Sequence, residues 1–477
     1  MCKQWMICLV VVCQVLGPCV AGAQVVRTQA SRTQKDNVIQ LRHMTLMPIP
    51  EGREPLKNRL LPRMFEMENG NAAVLYQSAA AMCPEDEDEN FREKLDEWRD
   101  MTPEQLPHEE VHKALGRFRA SIRLVELASV RNRCEWDMPL KEGFSMLLPS
   151  LSTFRKIAFA LTVKAKLEIA EGQKDQALAT IRHGLAMGRG IAEGPTLIQD
   201  LVGIAIVALM LRNVSEFMAS PDAPNLYWAL NDLPVPMIDL RKSLDYEYDC
   251  LSWEIPELYD LEKSVMSESQ AQALVNNTFN KFKNAGVWEG NVHFLMPMAW
   301  VMIHYADSKA FLLQRGWQSA RIEAMPAAQA VLTYQFVQFK EVRDNMFKWL
   351  SLPFPSYRKH SEECDQALAQ VADQGIKSNL FAQYLPALSR VRFLGARLCR
   401  DIDLLCLIEA LRLHAHANGN AFPKTLDDVS LVPVPNDPVT GSPFVYTYKD
   451  SQHVRVEAPA CQEQTKKRPV FELTLNP

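Results

Sequence analysis

SRVRFLGARLCRDIDLLCLIEALRLHAHA, residues 389–417, is the stretch that decides the fold. Its apolar residues Phe393, Leu398, Leu404, Leu405, Ile408, Leu411 and Leu413 are too crowded for one narrow stripe, which predicts a single long helix buried over much of its circumference. Ser389 suits its N-cap, and Asn418-Gly419 its end, because glycine readily takes the left-handed conformation that closes a helix. A long helix covered on several sides needs other helices around it.

Working toward the C-terminus, the composition changes after Gly419. Val432, Val434, Phe444, Val445, Tyr446, Tyr448, Val454 and Val456 favour strands, and Asn436-Asp437-Pro438, Thr440-Gly441 and Lys449-Asp450-Ser451 are turn signals. A small antiparallel sheet follows, with 470–475 alternating as its last strand. Toward the N-terminus the patterns are helical. Val111, Leu115, Phe118, Ile122 and Val125 recur at steps of four and three, the face of one helix. Residues 71–82, 152–218, 264–283, 299–315, 327–350 and 362–374 read as helices, with Gly172 and Gly194-Pro195 as breaks within 152–218. Residues 167–188 look like the turn and second helix of one tetratricopeptide unit, but no fixed period repeats, so a solenoid is not supported. The expected fold class is mainly α: a multi-helix body (70–385), then a long helix leading into a small C-terminal antiparallel β-module (386–477).

Residues 1–23 read as a secretory signal peptide. Lys3 precedes an apolar run over 5–16, Gly17-Pro18 breaks it, and Ala21-Gly22-Ala23 supplies the small residues for cleavage before Gln24. The run is shorter than the ~20 residues of a membrane span, so the expected mature chain has no transmembrane span. Residues 24–69, with Pro48, Pro50, Pro55 and Pro62, are expected to form an extended or loosely docked leader. Removing the signal leaves Cys83, Cys134, Cys250, Cys364, Cys399, Cys406 and Cys461, an odd set without a C-x-x-C pair. Cys399 and Cys406 lie about 10.5 Å apart along one helix, too far to bridge. The formal charge of −5 argues against nucleic acid as a partner.

The segment ALRLHAHANGNAFPKTLDDV, followed by PNDPVTGSPFVYTY, resembles the C-terminal region of type II secretion pseudopilins over roughly 410–448. Those proteins share a helix ending at Asn-Gly or Gly and an Asp-Pro-x-x-Gly-x-Pro turn into an aromatic strand. The resemblance implies local fold, and it does not extend to the prepilin leader and membrane helix that those proteins carry. Through Asn71-Ala72-Ala73-Val74-Leu75-Tyr76, Cys134-Glu135-Trp136, Gly194-Pro195-Thr196-Leu197-Ile198 and Asp437-Pro438, the chain also resembles a group of uncharacterised secreted proteins of planctomycete bacteria. That resemblance implies export and a bacterial, extracytoplasmic setting: periplasm, cell surface or medium.

The sharpest chemical motif is His108-Glu109-Glu110-Val111-His112, a formal H-E-x-x-H, in which two histidines one turn apart bind zinc and the glutamate activates water. Glu126 or Glu135 could supply a third ligand, whereas Leu115 and Phe118 stand where the metzincin glycine and histidine would be. The competing reading is a charged first turn after Pro107, where Glu109 and Glu110 suit the helix dipole. His414 and His416 point to different sides of a helix end. Tyr246, Glu247, Tyr248, Asp249, Cys250, Trp253 and Glu254 could line a pocket or pack on a helix surface, and Met296, Met298 and Met302 read as core filler. Glu85 to Glu89 is most simply a solvated loop, with calcium binding as its alternative. Nucleophile elbow, P-loop and dinucleotide fingerprint are all lacking.

No catalytic, cofactor-binding or metal residue is assigned, and no cofactor is expected. The expected function is a non-catalytic binding or structural role in an exported envelope or secreted protein, with other envelope proteins as candidate partners. The alternative is a zinc metallohydrolase built on His108, Glu109 and His112. A third possibility is a carrier whose helices enclose an apolar ligand.

Overall fold

A computed structural model describes residues 39–84, 89–146, 148, 150–284, 296–372, 377–385, 388–461 and 468–476. The signal segment and the acidic run 85–88 lie outside them. Strands β1 (Ile39–Leu46) and β2 (Glu68–Asn71) precede helices α1 (Ala72–Ala81), α2 (Glu89–Asp100), α3 (His108–Arg117) and α4 (Arg119–Ser129). Short β3 (Arg131–Arg133) pairs in parallel with β2. The centre is α5 (Leu151–Ala170), α6 (Lys174–Ala192) and α7 (Leu197–Ala219). Then come α8 (Tyr227–Asn231), α9 (Arg241–Glu254), α10 (Glu268–Asn284), α11 (Met296–Gln314), α12 (Ser319–Ala324), α13 (Ala327–Leu350) and α14 (Phe354–Ala372). The long α15 (Leu388–Ala417) leads to β4 (Val445–Asp450), β5 (His453–Glu457) and β6 (Arg468–Leu475). The fold is mainly α with a small C-terminal sheet.

Helix α7 is long and apolar enough to cross a membrane by composition, yet most of it is buried inside the body. Glycine makes that burial possible. A side chain on Gly203 would meet the Gly188 carbonyl oxygen at 2.5 Å, and one on Gly188 would meet Val207 Cγ2 at 2.7 Å. The backbones of α6 and α7 therefore approach where neither helix carries a β-carbon. Asn213, though in an N-x-S sequon, is fully buried on α7 and donates to the Thr162 carbonyl at 3.1 Å.

Three local expectations are corrected. The stripe from Val111 to Val125 is shared by two helices that meet at Phe118, whose buried ring stacks on Phe91 with centroids 6.0 Å apart. Gly116, a poor helix former just before the break, lowers the cost of bending there. Ser389 lies inside α15, which already begins at Leu388. Met296, Met298 and Met302 are exposed on α11 (47%, 59% and 77%) instead of filling the core.

The leader segment contributes a strand. The sheet order is β1-β6-β5-β4, with β4, β5 and β6 antiparallel and β1 added in parallel along the edge of β6, so the sheet is mixed. Leu41 lies opposite Val470 and Leu46 opposite Leu475. Met44, Leu46, Val454, Val456, Phe471, Leu473 and Leu475 are buried, the alternation of a sheet with one covered face.

Two buried ion pairs on α15 join the layers. Arg400 donates from Nε to Asp437 Oδ1 at 2.6 Å and from its terminal nitrogen to Oδ2 at 2.8 Å, and both side chains are wholly buried. Asp437 also accepts from Val439 N, Thr440 N and Thr440 Oγ1, so one carboxylate closes the Asp-Pro-x-x-Gly turn and docks it on the helix. Desolvation opposes its charge, but Arg400 and Thr440 hold its carboxyl below the ordinary value. One turn from the end of α15, Arg412 pairs with Glu409 and donates to the carbonyls of Met47 and Ala223.

Removing one partner leaves the other charged and dry. Asp437→Ala is expected to cost about 3–5 kcal/mol in urea unfolding, and the double change Arg400→Met, Asp437→Leu to recover most of it. An unaltered unfolding midpoint in Asp437→Ala would show that the turn docks without the pair.

Candidate functional site

A slender cavity opens where the helical body, α15 and the sheet meet. Its water-accessible interior is about 90 Å³, and it opens onto solvent. One wall is α7, with Leu201, Val202, Ala205, Ile206, Ala208 and Leu209; the opposite wall is Leu404 and Leu405 of α15, with Phe471 of β6 and Phe159 of α5. The helical period explains the lining: positions 201, 205, 208 and 209 of α7 share one face, and the small Ala205 and Ala208 leave the space.

Charge is confined to a few lining residues of one dominant sign. Arg42 of β1, Arg155 of α5, Arg212 of α7 and Arg397 of α15 face one carboxylate, Asp401. Arg212 lies 3.7 Å from Asp100. Arg42, Arg155 and Arg397 make no hydrogen bond or ion pair among the described residues; Arg42 rests on the Phe471 ring at 5.4 Å and Arg155 near Phe159 at 6.0 Å. Burial lowers the Arg42 pKa to about 10, opposed by Asp401 and reinforced by Arg212 and Arg397, so it stays charged at neutral pH. Behind the cavity, the carboxylates already have cations: Lys166 lies 3.0 Å from Glu216, and Arg99 donates to Asp96 and Asp100.

Comparison with protein families, curated proteins and solved structures gives no match. The geometry alone carries the functional reading.

The H-E-x-x-H residues stand elsewhere, at the outer end of α3. His112 Nε2 is 2.7 Å from Glu171 Oε1, and His108 Nδ1 is 3.9 Å from the same oxygen. Both imidazoles are well exposed, and Glu110 pairs with Lys94. The residue that meets them is thus Glu171, at the end of α5, and not Glu126 or Glu135. Glu126 pairs with Arg123, and Glu135 lies 3.9 Å from Arg133. Among the described residues no group of three or more His, Cys, Asp or Glu side chains is arranged to hold a metal ion. His414 is buried and His416 exposed, so α15 separates them. Among the described residues, Cys83, Cys134, Cys250, Cys364, Cys399, Cys406 and Cys461 form no disulfide.

The aromatic and acidic cluster on α9 divides by helix face. Tyr246, Glu247, Cys250 and Glu254 are buried, whereas Tyr248 points outward, donating to Asp344 at 2.8 Å beneath Arg343. Glu247 lies beside the first turn of α7, where the Leu197 N–H donates to it, and Asp200 in that turn accepts from Ser243. One oxygen of each carboxyl is buried without a hydrogen bond. Burial pushes Glu247 up to about 7, against the Leu197 bond; burial also pushes Asp200 up to about 8, against Ser243 and with the help of Asp239, Glu193 and Glu247.

Zinc in protein equilibrated with trace metal is expected to stay far below one per chain, and His112→Ala to change stability by about 0–1 kcal/mol, as for an exposed pair. Stoichiometric zinc that disappears when His108 and His112 are both changed to Ala would establish a metal site instead. The buried carboxyls of Asp200 on α7 and Glu247 on α9 make a second prediction. Both bind protons more readily in the folded chain, so their contribution is full below the ordinary carboxylate range and is lost as pH rises through about 7 and about 8. The unfolding free energy should therefore fall between about pH 5 and about pH 9, and Asp200→Asn with Glu247→Gln should reduce that fall by on the order of 1–3 kcal/mol. A fall identical in the double variant would mean that other groups set it.

Proposed function

We propose that this chain is an exported bacterial envelope or secreted protein with a non-catalytic binding role, and that it holds an elongated apolar ligand in the cavity between α7 and α15. The observation that carries the reading is the lining: long apolar walls, two alanines that leave the space, and polar groups restricted to a few residues. Ligand sites have this composition, since apolar area supplies affinity and a few placed charges supply orientation. A packed core of this size would be closed by larger side chains at Ala205 and Ala208. The export half of the proposal rests on residues 1–23 and on the resemblance to secreted planctomycete proteins.

Native and intact mass spectrometry of the protein expressed with its leader in a Gram-negative host tests both halves. The expected species begins at Gln24, is recovered outside the cytoplasm and carries a releasable apolar small molecule. Ala208→Trp, which fills the cavity, is expected to weaken uptake of a fluorescent apolar probe about tenfold or more while leaving the circular dichroism unchanged. A parent protein that takes up no apolar molecule in saturable fashion, or that keeps Met1, would overturn the corresponding half.

A further inference from the structure

Resting on that reading of the cavity, we infer that its occupant is an anionic amphiphile: a single apolar chain ending in a carboxylate or phosphate-type head, held by Arg42 and Arg397 with Arg155 and Arg212 beside them. An uncharged ligand would leave the lining electrostatically unbalanced. Four guanidinium groups face the cavity against the carboxylate of Asp401, and the neighbouring Glu216 and Asp100 are already engaged by Lys166, Arg99 and Arg212. Each guanidinium offers five donors and no acceptor. Those of Arg42, Arg155 and Arg397 donate to no described residue. Positive groups gathered at an apolar wall repel one another, and these guanidinium groups, half-buried among apolar side chains, are only partly compensated by water. An anion with two or three oxygens removes both costs, because guanidinium and carboxylate or phosphate match in shape as well as charge.

The placement also orients the ligand. Arg42 and Phe471 come from neighbouring strands of the sheet, whereas Leu201, Ala205 and Leu209 continue along α7. The head therefore belongs at the sheet side, and the chain runs along the helix between α7 and α15. Asp401, one turn from Arg397 on α15, offsets part of the positive charge of the lining and disfavours a second anionic charge.

Isothermal titration of the purified full chain, stripped of lipid by organic extraction and refolded, provides the test. The probes are dodecanoate, dodecyl phosphate, dodecanol, dodecylammonium and inorganic phosphate. Dodecanoate and dodecyl phosphate are expected to bind about tenfold or more tightly than dodecanol, dodecylammonium not to bind, and phosphate alone to bind far more weakly than its dodecyl ester. Changing Arg42 and Arg397 to Gln should erase the preference while leaving dodecanol binding where it was. Equal binding of dodecanol and dodecanoate to the parent would overturn the anionic head and leave the apolar cavity standing. Tight phosphate alone would overturn the chain. Failure of every dodecyl probe would instead remove the cavity reading itself.

Discussion

The contact between Arg400 and Asp437 is the joint on which the architecture turns. A long helix can be covered all round only if what covers it is fixed to it, and here α7, α8 and α14 pack on it while the irregular stretch between Gly419 and the sheet docks on it through Asp437. One carboxylate settles both problems: it closes its own turn through three local donors and binds the helix through a two-pronged ion pair. A buried pair of this kind adds little to net stability over an apolar pair of the same shape, but it tolerates few alternative arrangements, because any other register strands a charge. Its role here is registration. With the turn anchored, β4 and β5 follow, β6 comes next, and the inner face of the sheet closes over α15.

The same helix carries a charge of a different kind less than one turn away. Arg400 and Arg412 are wholly buried and hydrogen-bonded, whereas Arg397 stands in the cavity wall without a hydrogen-bond or ion-pair partner among the described residues. Three arginines on one helix thus do two jobs, separated by whether the facing element brings a carboxylate. The loop after β1 and the segment around Ala223 supply acceptors to Arg412. The wall contributed by α7 near Arg397 supplies leucine and alanine.

How much of this was readable from the chain differs between fold and site. The long helix, the switch to strands after Gly419 and the breaks at Gly172 and Gly194 are local patterns, and local patterns survive in the structure because the core forms along them. The stripe from Val111 to Val125 shows the limit: periodicity marks which residues face inward and says nothing of the bend at Phe118. Strand β1 was hidden among prolines because its partner, β6, lies at the other end of the chain. The cavity was hidden for the same reason. Arg42, Arg155, Arg212, Arg397 and Asp401 belong to four separate elements, each arginine alone reads as a surface charge, and nothing in their spacing reports that they meet. Conversely, His108 and His112 have memorable spacing, and the structure gives them a carboxylate neighbour, Glu171, that no motif names.

The parallel pairing of β1 with β6 has a bearing on the life history of the molecule. Ile39 leaves a ribosome long before Arg468, yet they lie side by side. Until the final strand arrives, the first has no edge to join, and the cavity lacks both Arg42 and Phe471 in place. A nascent chain can assemble α5, α6 and α7 while synthesis continues, but it cannot acquire a complete pocket. The complete lining of the cavity thus depends on β1 and β6 having met, and a fragment without β6 would lack Phe471 and the edge that seats Arg42.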